Sequence, residues 1–413
     1  MDHILTTFFS WMPFLRVLDL SGTKIRVLPE EIGLLTELRY FNLSDTLLSE
    51  LPTYIGRLVN LGQLDLSDTG QLETIPRTTA LCASLEKLDL SNSVHRWPEE
   101  SDEHREEGRI SLKDLGLLPK LNDLRLCEIS AWSNSLPRTI SYLTMQHIED
   151  LSQSLLEFNA MIRLRGLCVE VCSGLLELTF GSGEFCSLGV LSFSRLSITK
   201  IDIMETSLQS LKQLHILGCH ALKDLTLVYQ LPHLQSIELR DCFGLEVLIS
   251  SAADDDSAIF PQMTRITLYA LANLRCICHR PLLLPQMEYL EVYGCPMLMK
   301  LPLESRSACN IKQIVGAQGW WDMLQWDEDK TKIKFLPFFK DPWKKCKNKK
   351  RNKNKKRKGP ELEKDQASIT VEREREFFYI FRLRGKSKKV RWPQGCKQEG
   401  EGASKGRELP FNR

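Results

Sequence analysis

A leucine-rich phrase recurs along this sequence, and the recurrence restricts the possible folds more than any other feature. The phrase reads L-x-x-L-x-L-x-x-(N/C/T), and its first four copies are separated by 23, 23 and 24 residues. A dozen copies indicate an array of stacked units rather than a domain with a single compact core. The copies are LRVLDLSGT at 15, LRYFNLSDT at 38, LGQLDLSDT at 61, LEKLDLSNS at 85, LNDLRLCEI at 121, LRGLCVEVC at 164, LGVLSFSRL at 188, LKQLHILGC at 211, LQSIELRDC at 234, MTRITLYAL at 263, MEYLEVYGC at 287 and IKQIVGAQG at 311.

The spacing of the leucines predicts how each unit folds. Side chains alternate along a strand, so the central L-x-L buries two leucines and presents the intervening x residues on the opposite face. One unit cannot cover its own apolar face, whereas stacked units bury a continuous core. We therefore predict an α/β leucine-rich-repeat solenoid, with a curved, parallel concave sheet and irregular or short-helical returns.

Charge divides the chain into two regions. Residues 1–340 hold 31 Lys and Arg against 43 Asp and Glu, whereas residues 341–413 hold 24 against 10. We predict the solenoid over residues 1–340, irregular at 94–162 where the phrase fades, and a basic, largely disordered tail over 341–413. Within the tail, Lys344–Lys358 contains 11 Lys or Arg among 15 residues, and such self-repelling runs do not form a core.

Cysteine usage and the lack of a leader predict a reducing compartment. The 13 cysteines are an odd number scattered over a long chain, which favours free thiols in the cytosol or nucleus. Late copies end on Cys219, Cys242 and Cys295, where we expect small side chains that point inward and serve the turn. The N-terminus lacks a basic region and a cleavage site, and no apolar run is long enough to span a membrane. We expect a cytoplasmic protein, and the basic tail leaves nuclear entry open.

Several longer motifs point to a known family. They are FFSWMPFLRVLDLS (8–21), LPEEIGLLTELRYFNLSDT (28–46), LPTYIGRLVNLGQLDLSDT (51–69), LQSIELRDCFGLEVL (234–248), MEYLEVYGCPMLMKLP (287–302) and WWDMLQW (320–326) with FLPFF (335–339). These motifs resemble the leucine-rich-repeat region of plant intracellular nucleotide-binding disease-resistance proteins of the coiled-coil type. The resemblance covers residues 8–340, and it implies pathogen sensing through recognition of an effector or a guarded host protein. It also implies a nucleotide-binding switch domain, absent from this sequence, as a partner.

Enzymatic chemistry is not expected, and neither is a cofactor. A phosphate-binding loop needs G-x-x-x-x-G-K-[ST], but Ile380 stands where Gly385-Lys386-Ser387 requires the first glycine. The Cys276-x-Cys278-His279 cluster lacks a second ligand pair for zinc, so we interpret it as structural. No nucleophile–base pair can be placed by spacing, so catalysis is not expected. The partner that the resemblance implies is a protein.

We predict that this protein partner contacts the x residues of the strands on the concave wall. The late copies contribute Arg and aromatic side chains, which are enriched at interface hot spots, so we favour the C-terminal half of the wall. The predicted contact residues are Val17, Asp19, Ser21, Tyr40, Asn42, Gln63, Asp65, Lys87, Asp89, Gln213, His215, Glu238, Arg240, Arg265, Tyr269, Tyr289, Glu291 and Tyr293.

Some interpretations stay open. Asp19, Asp65 and Asp89 share one position in successive copies and form either an acidic binding ladder or a solvated polar face. The tail is a nuclear-import signal, a nonspecific nucleic-acid contact through phosphate neutralisation, an anionic-membrane contact or a solvated segment, and nucleic acid is not the favoured partner. No aromatic residues lie among its cations, so base stacking of the single-strand type is not indicated. Rival functions are a nuclear nucleic-acid-associated protein acting through the tail, a ubiquitin-ligase scaffold and a truncated resistance-gene fragment without function. The predicted import signal comprises Lys349, Lys350, Arg351, Lys355, Lys356, Arg357 and Lys358.

Overall fold

The computed structural model describes most of the repeat region. The chain divides into a unit of residues 1–345 and a unit of 346–413, and all the described residues lie in the first. The predicted import signal and the Gly385-Lys386-Ser387 motif lie outside the described residues, and the domain boundary at residue 341 stays a prediction. The described residues are 9–93, 97, 108–127, 136–148, 162–172, 176–181, 185–204, 206–250, 260–304 and 306–342.

A long parallel sheet runs through the repeats, with 14 strands in the part of the chain that the structure describes. Each repeat supplies one strand, because each has one L-x-L segment of alternating burial. In order along the sheet the strands are β1 (Val17–Asp19), β2 (Tyr40–Asn42), β3 (Gln63–Asp65), β4 (Lys87–Asp89), β5 (Asp123–Cys127), β6 (Tyr142–Gln146), β7 (Gly166–Glu170), β9 (Val190–Ser194), β11 (Gln213–Leu217), β12 (Ser236–Arg240), β14 (Arg265–Tyr269), β16 (Tyr289–Tyr293), β17 (Gln313–Val315) and β18 (Phe339–Lys340). The predicted solenoid is confirmed.

The register of the sheet follows the leucine spacing residue for residue. Leu18 pairs with Phe41 and Phe41 with Leu64, so the first Leu of each L-x-L lies beside its equivalent in the next repeat. The same column continues through Leu214 and Ile237 in the late repeats. A slip by one residue would turn every leucine of a strand toward solvent, and this fixes the pairing.

A tight turn ends each strand, and it needs both a left-handed residue and a small polar or thiol side chain. Asp45 and Asp68 adopt φ values of 55° and 58°, and Gly22 and Gly294 hold the same position elsewhere. The next residue bonds back to the strand: the Thr69 hydroxyl donates to the Leu66 carbonyl oxygen at 2.6 Å. In the late repeats, Cys242 Sγ lies 3.2 Å from the Arg240 carbonyl oxygen and Cys295 Sγ 3.4 Å from that of Tyr293. The structural role predicted for these cysteines is confirmed.

The returns from one strand to the next change along the chain. Early returns are 3-10 helices that follow a Leu-Pro or Ile-Pro pair, because Pro fixes φ and starts a short helical turn. Later returns include strands that form two small parallel sheets. The 3-10 segments are Phe9–Trp11, Glu30–Leu34, Thr53–Arg57, Arg77–Leu81, Thr226–Gln230 and Leu336–Phe338, the helices are α1 (Leu112–Leu115), α2 (Gln318–Met323) and α3 (Asp329–Phe335), and the small sheets pair β8 (Glu177–Phe180) with β10 (Lys200–Ile203) and β13 (Val247–Ile249) with β15 (Cys276–Cys278).

An extra repeat lies in the region where the leucine phrase fades. Strand β6 continues the sheet between β5 and β7, with Leu143 in the leucine column and Met145 in place of the second Leu. It begins from Ile140, which is fully buried. The irregularity expected at 94–162 therefore does not interrupt the sheet, while the segments 98–107, 128–135 and 149–161 lie outside the described residues.

Candidate functional site

The x residues of the strands form three rows along the face of the long sheet that points away from the core. We call this surface the open face; it is the face that the sequence predicts to be concave. The first row runs through positions such as 17, 213 and 289, the second through 19, 215 and 291, and the third through 21, 217 and 293. Parallel pairing in constant register holds each row in line over the whole array.

The second row begins as a set of turn-stabilising side chains. In each of the first four repeats, a carboxylate or amide oxygen accepts a bond from the backbone N–H two residues ahead, at 3.0–3.1 Å. This Asx-type bond fixes the chain where it leaves the strand. The bonds from the hydroxyl and the N–H of Ser21 hold the pKa of Asp19 below its ordinary value. Asp19, Asp65 and Asp89 therefore stabilise turns, whichever partner they also face.

Asp89 is not available to a partner, and the prediction that it lies exposed is wrong. Its side chain is 2% exposed, because Arg125 of the next repeat covers it with Nε 3.5 Å from the carboxylate. Asp123 lies 3.9 Å from the same Nε and 3.6 Å from Lys87 Nζ. Burial lowers the pKa of Arg125, but the charges of Asp89 and Asp123 outweigh it and raise that pKa above its ordinary value. On β4 and β5, the open face therefore carries charges that neutralise one another.

The late repeats bring together a different set of side chains around Glu238. One carboxylate oxygen lies 3.3 Å from His215 Nδ1 and the other 3.3 Å from Arg240 Nη2. The Arg240 guanidinium also lies over the Tyr269 ring, 4.8 Å from its centroid. The Tyr269 ring in turn lies 6.0 Å from that of Tyr293 on the next strand. Each group is held by at least one neighbour, so the cluster is ordered before any partner arrives.

A second cation–aromatic pair extends this cluster along the first row. Arg265 Nη1 donates to Glu291 at 2.6 Å, and its guanidinium lies 4.4 Å from the Tyr289 ring centroid. Nearly half of the Arg265 side chain stays exposed. We call these residues the late-repeat cluster: His215, Glu238, Arg240, Arg265, Tyr269, Tyr289, Glu291 and Tyr293.

The predicted contact residues fall into three classes of accessibility, and the structure brings the late ones together. The exposed ones are Val17, Asp19, Ser21, Gln63 and Arg265; the half-buried ones are Tyr40, Asn42, Asp65, Lys87, Gln213, His215, Glu238, Arg240, Tyr269, Tyr289, Glu291 and Tyr293; Asp89 alone among them is buried.

Sequence reasoning missed the open-face residues of the middle repeats. The sequence does not single out Arg125 as an open-face residue, because its copy lies in the region 94–162 where the leucine phrase fades. It does not single out Tyr142 and Gln146, because their repeat carries Ile and Met in place of two leucines. Gln146 is 5% exposed; its amide donates to Glu170 at 2.8 Å, and its oxygen accepts from the Asn92 N–H at 3.2 Å. The phrase I-x-x-L-x-M was the available signal for this repeat.

Most thiols of the described residues are buried and serve packing, whereas Cys186 and Cys309 are exposed. Burial raises the pKa of Cys219 to about 11 and that of Cys242 to about 12. Cys276 Sγ lies 3.5 Å from His279 Nδ1, and Cys278 Sγ lies 3.7 Å from the Tyr229 hydroxyl. No group of three or more His, Cys, Asp or Glu in the described part of the chain is arranged to hold a metal ion. None of the helices in that part has the length and apolar character needed to cross a lipid bilayer.

One strand per repeat, buried leucines on one side and polar x residues on the other define a leucine-rich-repeat solenoid. Proteins of this class bind other proteins through the extended face of their strands. Residues 2–306 match the family described as "Leucine-rich repeat region", and the chain belongs to this family.

Curated relatives connect the repeats to plant disease resistance. The chain is 36% identical over 139 residues to Disease resistance protein SUMM2 of Arabidopsis thaliana, covering 32% of this chain and 16% of that protein. It is 28% identical over 309 residues to Disease resistance protein UNI of Arabidopsis thaliana, covering 64% of this chain and 34% of that protein. The resemblance predicted from the motifs is confirmed over the repeat region, and the chain spans about a third or less of the length of these relatives.

The leucine-rich repeat domain of APL1 matches with a TM-score of 0.41 at 16% identity, covering 75% of this chain and 88% of that chain.

Proposed function

We propose that this chain is a protein-recognition module of plant innate immunity, acting in the cytoplasm. It binds a pathogen effector or a guarded host protein through the open face of its long sheet. The observation that carries the proposal is the late-repeat cluster, in which three tyrosines and two arginines meet on one surface. The similarity of the repeats to those of disease-resistance proteins supports the biological setting.

The cluster has the physical properties of an interface centre. Tyr and Arg are the residue types that dominate binding hot spots, because they combine large contact area with directional hydrogen bonds. Stacking holds both guanidinium groups over rings, so little side-chain entropy remains to be lost on binding. The charges are paired within the cluster, so a partner meets a nearly neutral surface that needs little desolvation of isolated ions.

A position-specific crosslinking experiment tests the surface. Benzoyl-phenylalanine replaces Tyr289 in the full chain, expressed in leaf cells that are exposed to a pathogen. The matched control places the same group at Leu283, which is 41% exposed but lies outside the three rows of the open face. We expect one protein to be captured from position 289 and not from position 283.

Purified captured protein then tests the contribution of charge. We expect Arg265→Glu to weaken its binding to the full chain at least about tenfold, since the variant reverses a charge at the centre of the contact. Arg275→Glu is the control, because Arg275 lies in the same repeat but faces the return side, beside Glu246. Equal affinity of both variants, or unchanged binding after reversal of Arg240, Arg265 and Glu291, would remove the late-repeat cluster from the interface.

A further inference from the structure

A groove lies on the flank of the solenoid, at the edge of the sheet where the strands β4 to β9 begin. It encloses about 700 Å³ and is lined by two rows of residues from successive repeats. The inner row immediately precedes the strands and consists of Glu86, Asn122, Ser141 and Arg165. The outer row lies two positions earlier in the chain and includes Lys120, Thr139, Arg163 and Ser187.

The inner row is held rigidly by the backbone. The carbonyl oxygen of Asn122 accepts two bonds, from the N–H groups of Ser141 and Tyr142, at 2.8 and 2.9 Å. The carbonyl oxygen of Ser141 accepts two in the same way from the next repeat, at 2.7 and 3.0 Å. The floor of the groove is therefore as ordered as the sheet. Its depth follows from sequence, because short side chains at Thr139, Ser141 and Asn122 lie between long cationic ones.

Positive charges predominate among the described residues that line the groove. Lys120, Arg163 and Arg165 are exposed, and Glu86 is the one acidic residue among the described residues of the lining. Within the described part of the chain, no ion pair or side-chain hydrogen bond engages the three cations. Farther along the same flank, at the equivalent position before β17, Lys312 Nζ lies 2.7 Å from Glu288. A cluster of unpaired cations in a concavity is complementary to carboxylates.

The dimensions of the groove select the kind of ligand. It crosses five strands, so at a strand spacing of about 4.8 Å it is about 19 Å long. An extended peptide of about six residues has this length. Pro119 and the 75%-exposed Ile162 add apolar surface beside the cations.

We propose that this groove binds a short, extended acidic segment of the recognised protein. Its carboxylates pair with Lys120, Arg163 and Arg165, and one apolar side chain packs on Ile162. The inference rests on the proposed protein-recognition function and adds a second contact surface, on the flank rather than on the open face.

A labelled peptide tests the groove directly. The probe is Asp-Glu-Leu-Glu-Asp-Glu with a terminal benzophenone, irradiated with the full chain at low salt and mapped by mass spectrometry. A control peptide carries Asn and Gln in place of the acids. We expect crosslinks on the segments around Pro119 and Ile162, suppressed by added salt and absent with the control peptide. Crosslinks confined to the basic run 344–358 would overturn the proposal.

Matched charge reversals separate the groove from general electrostatics. We expect Lys120→Glu, Arg163→Glu and Arg165→Glu together to reduce the groove crosslinks at least about tenfold. Reversal of three other exposed cations, Lys24, Arg26 and Lys223, changes net charge equally and should leave them in place. Equal loss in both triple variants contradicts a specific groove. A groove variant that loses binding to phosphatidylserine vesicles while its peptide crosslinks persist also contradicts the proposal, since the groove would then bind a membrane surface.

The experiments distinguish a failure of the proposed groove from a failure of the proposed recognition function. Capture of a partner at position 289 with unchanged affinity in the groove variant would reject the groove and leave the recognition function standing. Specific peptide crosslinks without any capture at position 289 would leave the acidic-peptide groove in place and reject the placement of the main interface.

Discussion

Gly56→Ala is the substitution for which the structure predicts the clearest effect. Gly56 lies in the 3-10 return between β2 and β3, packed against the following return at Thr78. A Cβ added at Gly56 would lie 2.5 Å from the Thr78 carbonyl oxygen, whereas real Cβ contacts are essentially never shorter than 3.0 Å. The next return must therefore move by at least 0.5 Å, and the obstacle is backbone rather than a flexible side chain.

Two observations frame the size of the effect. Forcing an extra methyl group into a packed interior costs about 1–3 kcal/mol. The chain itself places Ala80 at the equivalent position of the next return, where the segment that follows is α1 rather than another 3-10 turn. We therefore expect Gly56→Ala to reduce the free energy of unfolding by about 2 kcal/mol, through loss of the close spacing between returns.

The assay is urea unfolding of the full chain followed by circular dichroism, with hydrogen exchange on peptides 53–58 and 77–82. Gly70→Ala is the matched control, since nothing lies within 4 Å of a Cβ at that position. We expect Gly70→Ala to leave the free energy of unfolding unchanged. Hydrogen exchange of peptides 53–58 and 77–82 should accelerate only in the Gly56→Ala variant. If both variants unfold at the same urea concentration as the original chain, the returns are not packed as closely as argued.

Two further predictions concern buried polar groups. Asp89→Ala should reduce the free energy of unfolding by about 3 kcal/mol, because it removes the carboxylate that pairs with the largely buried Arg125 guanidinium. Asp19→Ala removes the same kind of turn bond at an exposed site and should reduce it by about 1 kcal/mol. Equal losses for the two variants in urea unfolding would contradict the buried pair. Burial raises the pKa of Cys242 from 9.0 to about 12, so this thiol ionises at lower pH in the unfolded chain than in the folded one. The stability that the raised pKa contributes is complete below pH 9 and should be lost between about pH 9 and 12. At pH 8, iodoacetamide should label the exposed Cys186 and reach the buried Cys242 only after denaturation, which mass spectrometry can check.

The repeat phrase was enough to predict the register of the long sheet. Leu18, Phe41 and Leu64 fall in one column as their spacing predicts, and so do Ile266 and Leu290 far along the chain. The inward cysteines and the polar open face followed from the same alternation. These features are local in origin, since each depends only on the two-residue period of a strand and the period of the repeat.

Contacts between repeats decided the features that the sequence did not reveal. The burial of Asp89 depends on Arg125, which lies one repeat later, within the region 94–162 where the leucine phrase fades. The small sheets on the return side depend on the pairing of segments such as β13 and β15, which carry no shared motif. The late-repeat cluster depends on sequence and on strand pairing. Its residue types are visible in the sequence, but the stacking of Arg265 on Tyr289 requires adjacent strands in register.

The sequence by itself determined the solenoid, because a periodic chain buries its leucines in only one regular way. The tertiary structure decided which polar residues remain available for binding. Exposure depends on the length and charge of the side chains one repeat away, as the buried Asp89 and the exposed cations around Ser141 show, and a single repeat does not contain that information.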